Sequence, residues 1–338
     1  MATRKRILTV TAIAIALLGA LGLNLLAWRQ VSRMTQFVDG RERQTGKAQA
    51  SGRAQISRTR PPEKLNLLEK AQVIATGTRV PRPENAKTPE DFGLAYSRHE
   101  LPTQRQERLE AWMIRPANAA AIFLLFHGYA SSKASLLPLA KALVQQGYAT
   151  FLVDFYGSGG SSGTSTSIGY YEALDVQAAH EYAIEQWPNQ KTVLYGFSMG
   201  GSAVLRAVAV GNVQADGVIV ESTFDRLLNT VSIRFTAMNL PPRPLADLLV
   251  IWGGFQWGFN PYEHNPADYA RAVKVPALVF YGQGDRRVKE TEALAIYNAL
   301  SGWKRYWSFA KGGHGLKAVH NPDRWQVAIA ELWSQIGE

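Results

Sequence analysis

Cysteine is absent from this 338-residue sequence. Its absence excludes a disulfide framework, a cysteine nucleophile, thiolate-bound zinc and a lipidated cysteine anchor. Histidine is scarce: there are six, and none of them forms the H-E-x-x-H spacing of zinc metallopeptidases. The sequence therefore offers no support for a metal site, and it implies no organic cofactor.

Net charge is also missing from most of the chain. The total is +10, but residues 1–90 hold 16 basic and 6 acidic side chains, whereas residues 91–338 hold 21 of each sign. The positive excess therefore lies in the N-terminal part. No nucleic-acid-binding motif accompanies it, so we do not expect DNA or RNA as a partner.

One segment, from Ile7 to Trp28, lacks charge altogether and follows three basic residues. At about 1.5 Å rise per residue, a helix of this length crosses a hydrocarbon layer about 30 Å thick. A secretory signal peptide has a shorter apolar centre, and the candidate cleavage site here, Ala20-Leu21-Gly22, is weak. We therefore predict that residues 1–28 form an uncleaved single-pass membrane anchor, with a cleaved signal peptide as the alternative.

The orientation of this anchor is almost balanced by charge, since basic residues flank both of its ends. A short basic N-terminus before an apolar run is typical of exported proteins, which predicts a periplasmic or extracytoplasmic body. In the alternative, the basic stretch from residue 29 to residue 64 lies on the anionic cytoplasmic leaflet.

The segment from residue 29 to residue 90 is predicted to be a basic flexible tether. Residues 39–63 are polar, rich in Gly, Arg, Gln and Ser, and have no apolar period. A short helix is expected within residues 64–76.

Residues 91–338 alternate between short apolar runs and amphipathic stretches, which predicts a single α/β domain. Runs that are apolar on both faces, separated by helices, are typical of a mostly parallel sheet covered on both sides. An antiparallel hairpin is expected at 96–101 and 108–114. Further strands are expected at 121–126, 150–154, 192–195, 217–220, 277–281 and 305–309, and helices at 136–146, 170–186, 199–210, 290–300 and 324–336.

One connection, residues 222–275, is too long for an ordinary loop. It is rich in bulky aromatic residues, among them Phe235, Trp252, Phe255, Trp257 and Phe259, and it contains the Pro-rich stretch 241–244. Long insertions in compact domains are usually lids or disordered segments, and so aromatic a segment is not expected to be disordered. We predict a helical cap over a pocket, with an ordinary packed excursion as the alternative.

The sharpest motif is Gly196-Phe197-Ser198-Met199-Gly200, which has the form G-x-S-x-G. An apolar strand precedes it and a helix of small residues follows it, as this motif requires. The strand-to-helix turn pushes the serine hydroxyl out above the sheet, and the glycines let neighbouring backbone pass closely. Ser198 is therefore the candidate nucleophile.

A nucleophilic serine needs a base, and the base needs an orienting acid. Asp285 follows the strand at 277–281, and His314 lies in a glycine-flanked loop after the strand at 305–309. Both lie at the carboxyl ends of strands, where substrate-facing residues belong. Glu221 also follows a strand and is the alternative orienting acid.

An oxyanion hole is predicted after the strand at 121–126. The loop His127-Gly128-Tyr129 follows that strand, and the backbone N–H groups of Tyr129 and Met199 are the candidates to hold a tetrahedral oxyanion. We expect His127 to be structural.

These motifs resemble those of the α/β-hydrolase superfamily, especially the Bem46-like proteins and the ABHD-type membrane-anchored lipases, over residues 90–338. The stretch Asp154–Ser161 is similar to the family's D-x-R-G-x-G-x-S loop, with Tyr156 in place of the usual arginine. The resemblance implies that Ser198 is the nucleophile, His314 the general base and Asp285 its partner.

The expected reaction is hydrolysis of small-molecule or lipid-like carboxylic esters through an acyl-enzyme. Peptidase, amidase or thioesterase activity with the same three residues is the alternative, and a catalytically dead interaction domain is another. A dinucleotide fingerprint is excluded because position 162 is serine, and Ser198 argues against hydrolases of this fold that use an aspartate nucleophile.

Overall fold

The computed structural model describes residues 2–39, 65–103 and 107–337. Its centre is an eight-stranded sheet. The strands are β3 (Ser97–Pro102), β4 (Arg108–Ile114), β5 (Ala121–Phe126), β6 (Ala149–Val153), β7 (Lys191–Phe197), β8 (Gly217–Glu221), β9 (Ala277–Gly282) and β10 (Lys304–Phe309). Across the sheet they lie in the order β10-β9-β8-β7-β5-β6-β4-β3. Strands β5 to β10 run parallel, and β3 and β4 form the expected antiparallel hairpin at one edge.

Helices cover both faces of this sheet, because its central strands are buried on both sides. One face packs against α3 (Leu137–Gln145), the short α10 (Lys317–His320) and α11 (Pro322–Gly337). The other packs against α4 (Glu172–Gln186), α5 (Met199–Val210) and α9 (Glu290–Ala299). Successive residues of β5 point to opposite faces, so that Leu124 joins one core and Leu125 the other. The predicted covered parallel sheet is confirmed.

The connection between β8 and β9 is helical. It contains α6 (Leu227–Ala237), α7 (Leu245–Trp257) and the short α8 (Pro266–Tyr269). We call α6 and α7 the cap hairpin. The predicted helical insertion at about 222–275 is therefore present, and it starts from the carboxyl edge of the sheet.

The apolar N-terminal run belongs to a longer helix, α1 (Ala2–Thr35). Within it, Arg6–Thr35 is long and apolar enough to cross a membrane. Beyond it, β1 (Phe37–Val38) pairs in parallel with β2 (Val80–Pro81), and α2 (Leu67–Thr76) provides the short helix expected at 64–76.

The predicted tether at 29–90 is accordingly not one uniform segment. Residues 29–35 continue α1, and Phe37 is buried, 6% exposed, because its ring contacts that of Tyr129 in the body. Residues 40–64, which hold most of the predicted tether, lie outside the described residues.

Candidate active site

Ser198 lies at the turn between β7 and α5, where the chain reverses sharply. Its backbone angles are φ 54° and ψ −115°, a sparsely populated combination for a residue with a side chain. The turn is held by hydrogen bonds from the Ser198 amide to the Glu221 carbonyl (2.8 Å) and from the Gly201 amide to the Ser198 carbonyl (3.0 Å). The strained turn presents the hydroxyl at the carboxyl edge of the sheet.

The glycines of the motif are required by close backbone contacts. A Cβ atom added to Gly196 would lie 2.4 Å from the Gly201 Cα, and one added to Gly200 would lie 2.2 Å from the Phe126 carbonyl oxygen. Backbone atoms cannot move aside as the end of a flexible side chain can. The G-x-S-x-G pattern therefore follows from the packing of the turn against β5 and the start of α5.

His314 and Asp285 complete a line of hydrogen bonds from Ser198. The His314 Nε2 atom lies 3.1 Å from the Ser198 hydroxyl, and its Nδ1 atom lies 2.8 Å from the Asp285 carboxylate. The three residues are far apart in the sequence, and the loops after β7, β9 and β10 bring them together. The geometry allows the imidazole to accept the serine proton while the carboxylate orients the ring.

The Asp285 side chain is fully buried yet suited to carry a negative charge. Its second carboxylate oxygen accepts hydrogen bonds from the amides of Arg287 (2.8 Å) and Val288 (3.1 Å). Burial alone would raise the pKa of Asp285, but the contact with His314 and these two amides outweigh burial and lower it. The carboxylate that faces His314 is therefore held ionised.

Glu221, the alternative acid, has other partners. One of its carboxylate oxygens accepts a hydrogen bond from the Lys317 amide (2.7 Å), and the other accepts one from the Tyr195 hydroxyl. Asp285, not Glu221, is the carboxylate in contact with the His314 ring.

The loop after β5 passes directly over the serine. A Cβ atom added to Gly128 would lie 3.4 Å from the Ser198 Cβ, so Gly128, the residue before Tyr129, borders the serine. Met199 is the first residue of α5, and the first-turn amides of a helix have no acceptor within the helix. The two amides predicted for the oxyanion hole thus lie on the two segments that flank the Ser198 hydroxyl.

His127 is fully buried and supports this loop. Its Nδ1 atom lies 2.8 Å from the Gly128 carbonyl, and its Nε2 atom accepts a hydrogen bond from the Phe155 amide (3.2 Å). Burial lowers the pKa of His127, which favours the neutral ring that this pair of contacts requires. The ring therefore connects the loop His127-Gly128-Tyr129, which we call the candidate oxyanion loop, to the loop after β6.

Comparison with known proteins places this architecture. The family model described as serine aminopeptidase, S33, matches residues 117–249. The chain is 25% identical over 239 residues to protein bem46 of Schizosaccharomyces pombe, covering 68% of this chain and 75% of that protein. It is 32% identical over 219 residues to the uncharacterized protein YfhR of Escherichia coli, covering 61% of this chain and 69% of that protein.

The fold is also that of a solved Pyrococcus furiosus protein, the esterase Pf2001. The two structures superpose with a TM-score of 0.63 over 75% of this chain and 96% of that one, at 23% sequence identity. The chain belongs to the α/β-hydrolase superfamily. Within it, the chain is of the Bem46 type, and the fold and the relatives support a hydrolase.

In this Bem46-type protein the end of α1 reaches the candidate site. The Tyr129 hydroxyl donates a hydrogen bond to the Met34 carbonyl (2.6 Å), and the Arg234 guanidinium of α6 lies 5.2 Å from the centre of the Tyr129 ring. Sequence reasoning missed this contact, because it treated residue 29 onward as a tether. The apolar pair Phe37-Val38 between polar residues was a signal that this stretch packs against another part of the chain.

The D-x-R-G-x-G-x-S-like loop also has a partner that the sequence did not reveal. The Lys133 ammonium, fully buried, pairs with Asp154 at the start of this loop and with Glu110 at 2.7 Å. A Cβ atom added to Gly160 would lie 2.2 Å from the Glu110 carboxylate carbon, so the loop packs tightly around this charge cluster. Lys133 follows the Tyr129 loop in the chain, so the cluster links the two loops.

Proposed function

We propose that this chain is a serine hydrolase of carboxylic esters, with Ser198 as nucleophile, His314 as general base and Asp285 as its partner. The main support for the proposal is the chain of hydrogen bonds that joins Ser198, His314 and Asp285. His314 Nε2 lies 3.1 Å from the Ser198 hydroxyl, and His314 Nδ1 lies 2.8 Å from the Asp285 carboxylate. Both separations are hydrogen-bonding distances, so His314 can take the Ser198 proton while Asp285 orients the ring.

In the first half of the reaction, the Ser198 oxygen attacks the ester carbonyl carbon as His314 Nε2 takes the hydroxyl proton. The tetrahedral intermediate collapses to an acyl-enzyme, and His314 gives the proton to the departing alcohol. Water then repeats the sequence and releases the acid. Asp285 stabilises the imidazolium in both halves.

The developing oxyanion needs donors placed in advance. The amides of Tyr129 and Met199 are proposed to supply them, aided by the N-terminus of α5, where the helix dipole favours negative charge. The turn at Ser198 and the close passage of Gly128 support this assignment.

An apolar ester is proposed as substrate. The cap hairpin is rich in large apolar residues, and the helix α1 that packs on it is suited to a membrane anchor. The solved neighbour named as an esterase supports the ester, and the match to a family described as serine aminopeptidase supports amide hydrolysis as the second candidate. We further propose that α1 anchors the chain and that the body is extracytoplasmic.

The test is hydrolysis of p-nitrophenyl esters, from acetate to palmitate, by the full-length chain in detergent, beside Ser198→Ala. Turnover that the substitution abolishes would support the proposal. The length of the preferred acyl group would indicate how long an acyl chain the pocket accepts. Labelling of Ser198 by a fluorophosphonate without ester turnover would favour the amidase. The absence of both would overturn the proposal in favour of an inactive interaction domain.

A further inference from the structure

Helix α7 of the cap hairpin runs alongside the C-terminal half of α1, in the same direction. The Trp252 indole N–H donates to the Asn24 side chain (3.0 Å), and the Gln256 amide donates to the Trp28 carbonyl (2.8 Å). A step of four residues along α1, from Asn24 to Trp28, matches a step of four residues along α7, from Trp252 to Gln256, so the two helices are parallel. The N-terminal half of α7 is therefore directed toward the apolar run of α1.

Helix α2 has the same direction relative to α1. The Gln30 side-chain amide donates to the carbonyls of Val73 (2.6 Å) and Ile74 (2.7 Å), and Arg33 donates to the Gly77 carbonyl at 3.4 Å. Each contact joins residues 43 or 44 apart in the chain. These contacts lie within one turn of α1 and indicate that the two helices run in the same direction there. Extended along both helices, the same offset directs the start of α2 toward residues 23–24 of α1.

Large apolar side chains are exposed at these positions on α2 and α7. Leu67 and Leu68 are 84% and 82% exposed, and Ile251 and Phe255 are 37% and 71% exposed. We call these four side chains the apolar rim. The apolar run of α1, on which α7 packs, is exposed as well, with Leu25 at 61%. A soluble surface rarely exposes so much apolar area in one place.

The level of the rim along α1 coincides with a change in polarity. Trp28 ends the apolar run, and Arg29 follows it in the sequence. The Trp28 ring packs edge-on against the Trp252 ring, with 5.3 Å between the ring centres. Tryptophan followed by arginine is typical of the boundary between hydrocarbon and headgroups. At about 1.5 Å per residue, Leu67 and Leu68 would lie about 7 Å from this boundary on its hydrocarbon side, a depth usual for interfacial helices.

The charged residues near the tip of the cap hairpin are paired, which lowers the cost of this placement. Arg243 and Asp247 form an ion pair at 2.7 Å, so they enter an apolar layer as a neutral pair. The proline-rich stretch between α6 and α7 leaves few amide donors there to satisfy.

We infer that the apolar rim inserts into the leaflet around α1, so that the cap hairpin rests in the lipid bilayer and an apolar ester reaches the site from the membrane. Met34, whose carbonyl binds Tyr129, lies six residues beyond Trp28, or about 9 Å along the helix. The candidate oxyanion loop is therefore close to the headgroups. The supply of substrate rests on the proposed function, whereas the insertion rests only on α1 as an anchor.

The chain lacks cysteine, so single cysteines can report on each position of the full-length protein. We would label Leu68→Cys and Phe255→Cys with an environment-sensitive fluorophore in vesicles of phosphatidylcholine and phosphatidylglycerol. The matched control is Val210→Cys, 60% exposed at the far end of α5, where the chain is at the opposite edge of the sheet. Nitroxide-labelled lipid should quench both rim positions and leave the control unquenched.

Equal quenching at all three positions would overturn the inference. So would a disulfide cross-link between two copies of the Phe255→Cys variant without lipid quenching, because a second copy would then cover the rim. A functional readout uses Ile251→Asn with Phe255→Ser: hydrolysis of a short soluble ester should be unchanged, and hydrolysis of a long-chain ester within vesicles should fall severalfold. Quenching without any ester turnover by the unmodified chain would retain the inference and reject the proposed function.

Discussion

Lys317 and Glu221 form a fully buried ion pair directly beside the loop that carries His314. The Lys317 ammonium lies 3.7 Å from the Glu221 carboxylate, and it donates hydrogen bonds to the carbonyls of Gly313 (2.7 Å) and Gly315 (2.6 Å). These two residues flank His314. Burial lowers the pKa of Lys317, and the Glu221 charge opposes this change. We therefore expect Lys317 to position the histidine without touching the substrate.

Replacing Lys317 by methionine should loosen the His314 loop and leave Glu221 buried without its cation. We expect a loss of about 3–5 kcal/mol in the free energy of unfolding, the usual cost of breaking a buried pair. At temperatures where the variant remains folded, kcat should fall about tenfold or more with KM little changed, because ring orientation matters mainly in the transition state.

The control for this experiment is Lys311→Met, an exposed lysine in the same loop. The double variant Lys317→Met with Glu221→Gln should recover much of the stability but little of the kcat. A Lys317→Met enzyme with unchanged kcat would show that the pair only stabilises the fold.

Asp285→Asn should remove the orienting charge and keep the shape of the side chain. We expect kcat to fall by about 10⁴-fold, the order of magnitude known for this substitution in a serine protease. Labelling of Ser198 by a fluorophosphonate should slow in parallel. Glu221→Gln is the comparison: an equal loss of kcat there, with Asp285→Asn still active, would reassign the acid to Glu221.

Glu292, in the first turn of α9, should make stability depend on pH. Burial raises the pKa of its carboxyl to about 7. The hydrogen bond from the Lys289 amide acts in the opposite direction, and the neighbouring Asp225 charge raises the pKa further. The unfolded chain loses this proton near 4.5, whereas the folded chain keeps it until about 7. Its contribution to stability is therefore complete below about 4.5 and is lost as the pH rises to about 7.

Glu292→Gln should remove this dependence. At pH 8 (about one unit above the shifted pKa) we expect the variant to be more stable than the unmodified chain by up to about 3 kcal/mol, and near pH 4.5 the difference should vanish. Denaturant unfolding at several pH values measures it. Glu185→Gln, at an exposed position on α4, should leave the pH profile unchanged. A flat profile in the unmodified chain would contradict the prediction.

Two truncations should separate membrane attachment from the contribution of α1 to the body. A chain starting at Leu23 keeps the contacts of Asn24, Trp28 and Phe37, whereas a chain starting at Leu65 loses them. Burial of a large apolar side chain contributes about 1.5–3 kcal/mol, so the shorter chain should be less stable and less active on a short soluble ester. Equal melting temperatures and equal kcat/KM would show that α1 serves attachment only.

The order of elements in the body was predictable from the sequence. Apolar runs such as Ala121–Phe126 are buried on both faces, and only a covered parallel sheet suits such strands. The helix after Ser198 was predicted with the bounds that the structure has, because its small residues follow a strand and a turn signal directly. Ser198, Asp285 and His314 could be named because each stands where a strand of such a sheet ends.

The sequence named Asp285 as the acid and kept Glu221 as the alternative, because both follow strands; only the tertiary structure supplies the distance to His314 that favours Asp285. The same holds for the end of α1, whose contacts with Tyr129 and the cap hairpin join residues more than ninety positions apart. The periodicity of a sequence reports which face of an element is buried, but not which partner buries it. Local pattern therefore determined the sheet and its loops, and long-range packing decided how α1, the cap hairpin and Lys317 surround the candidate site.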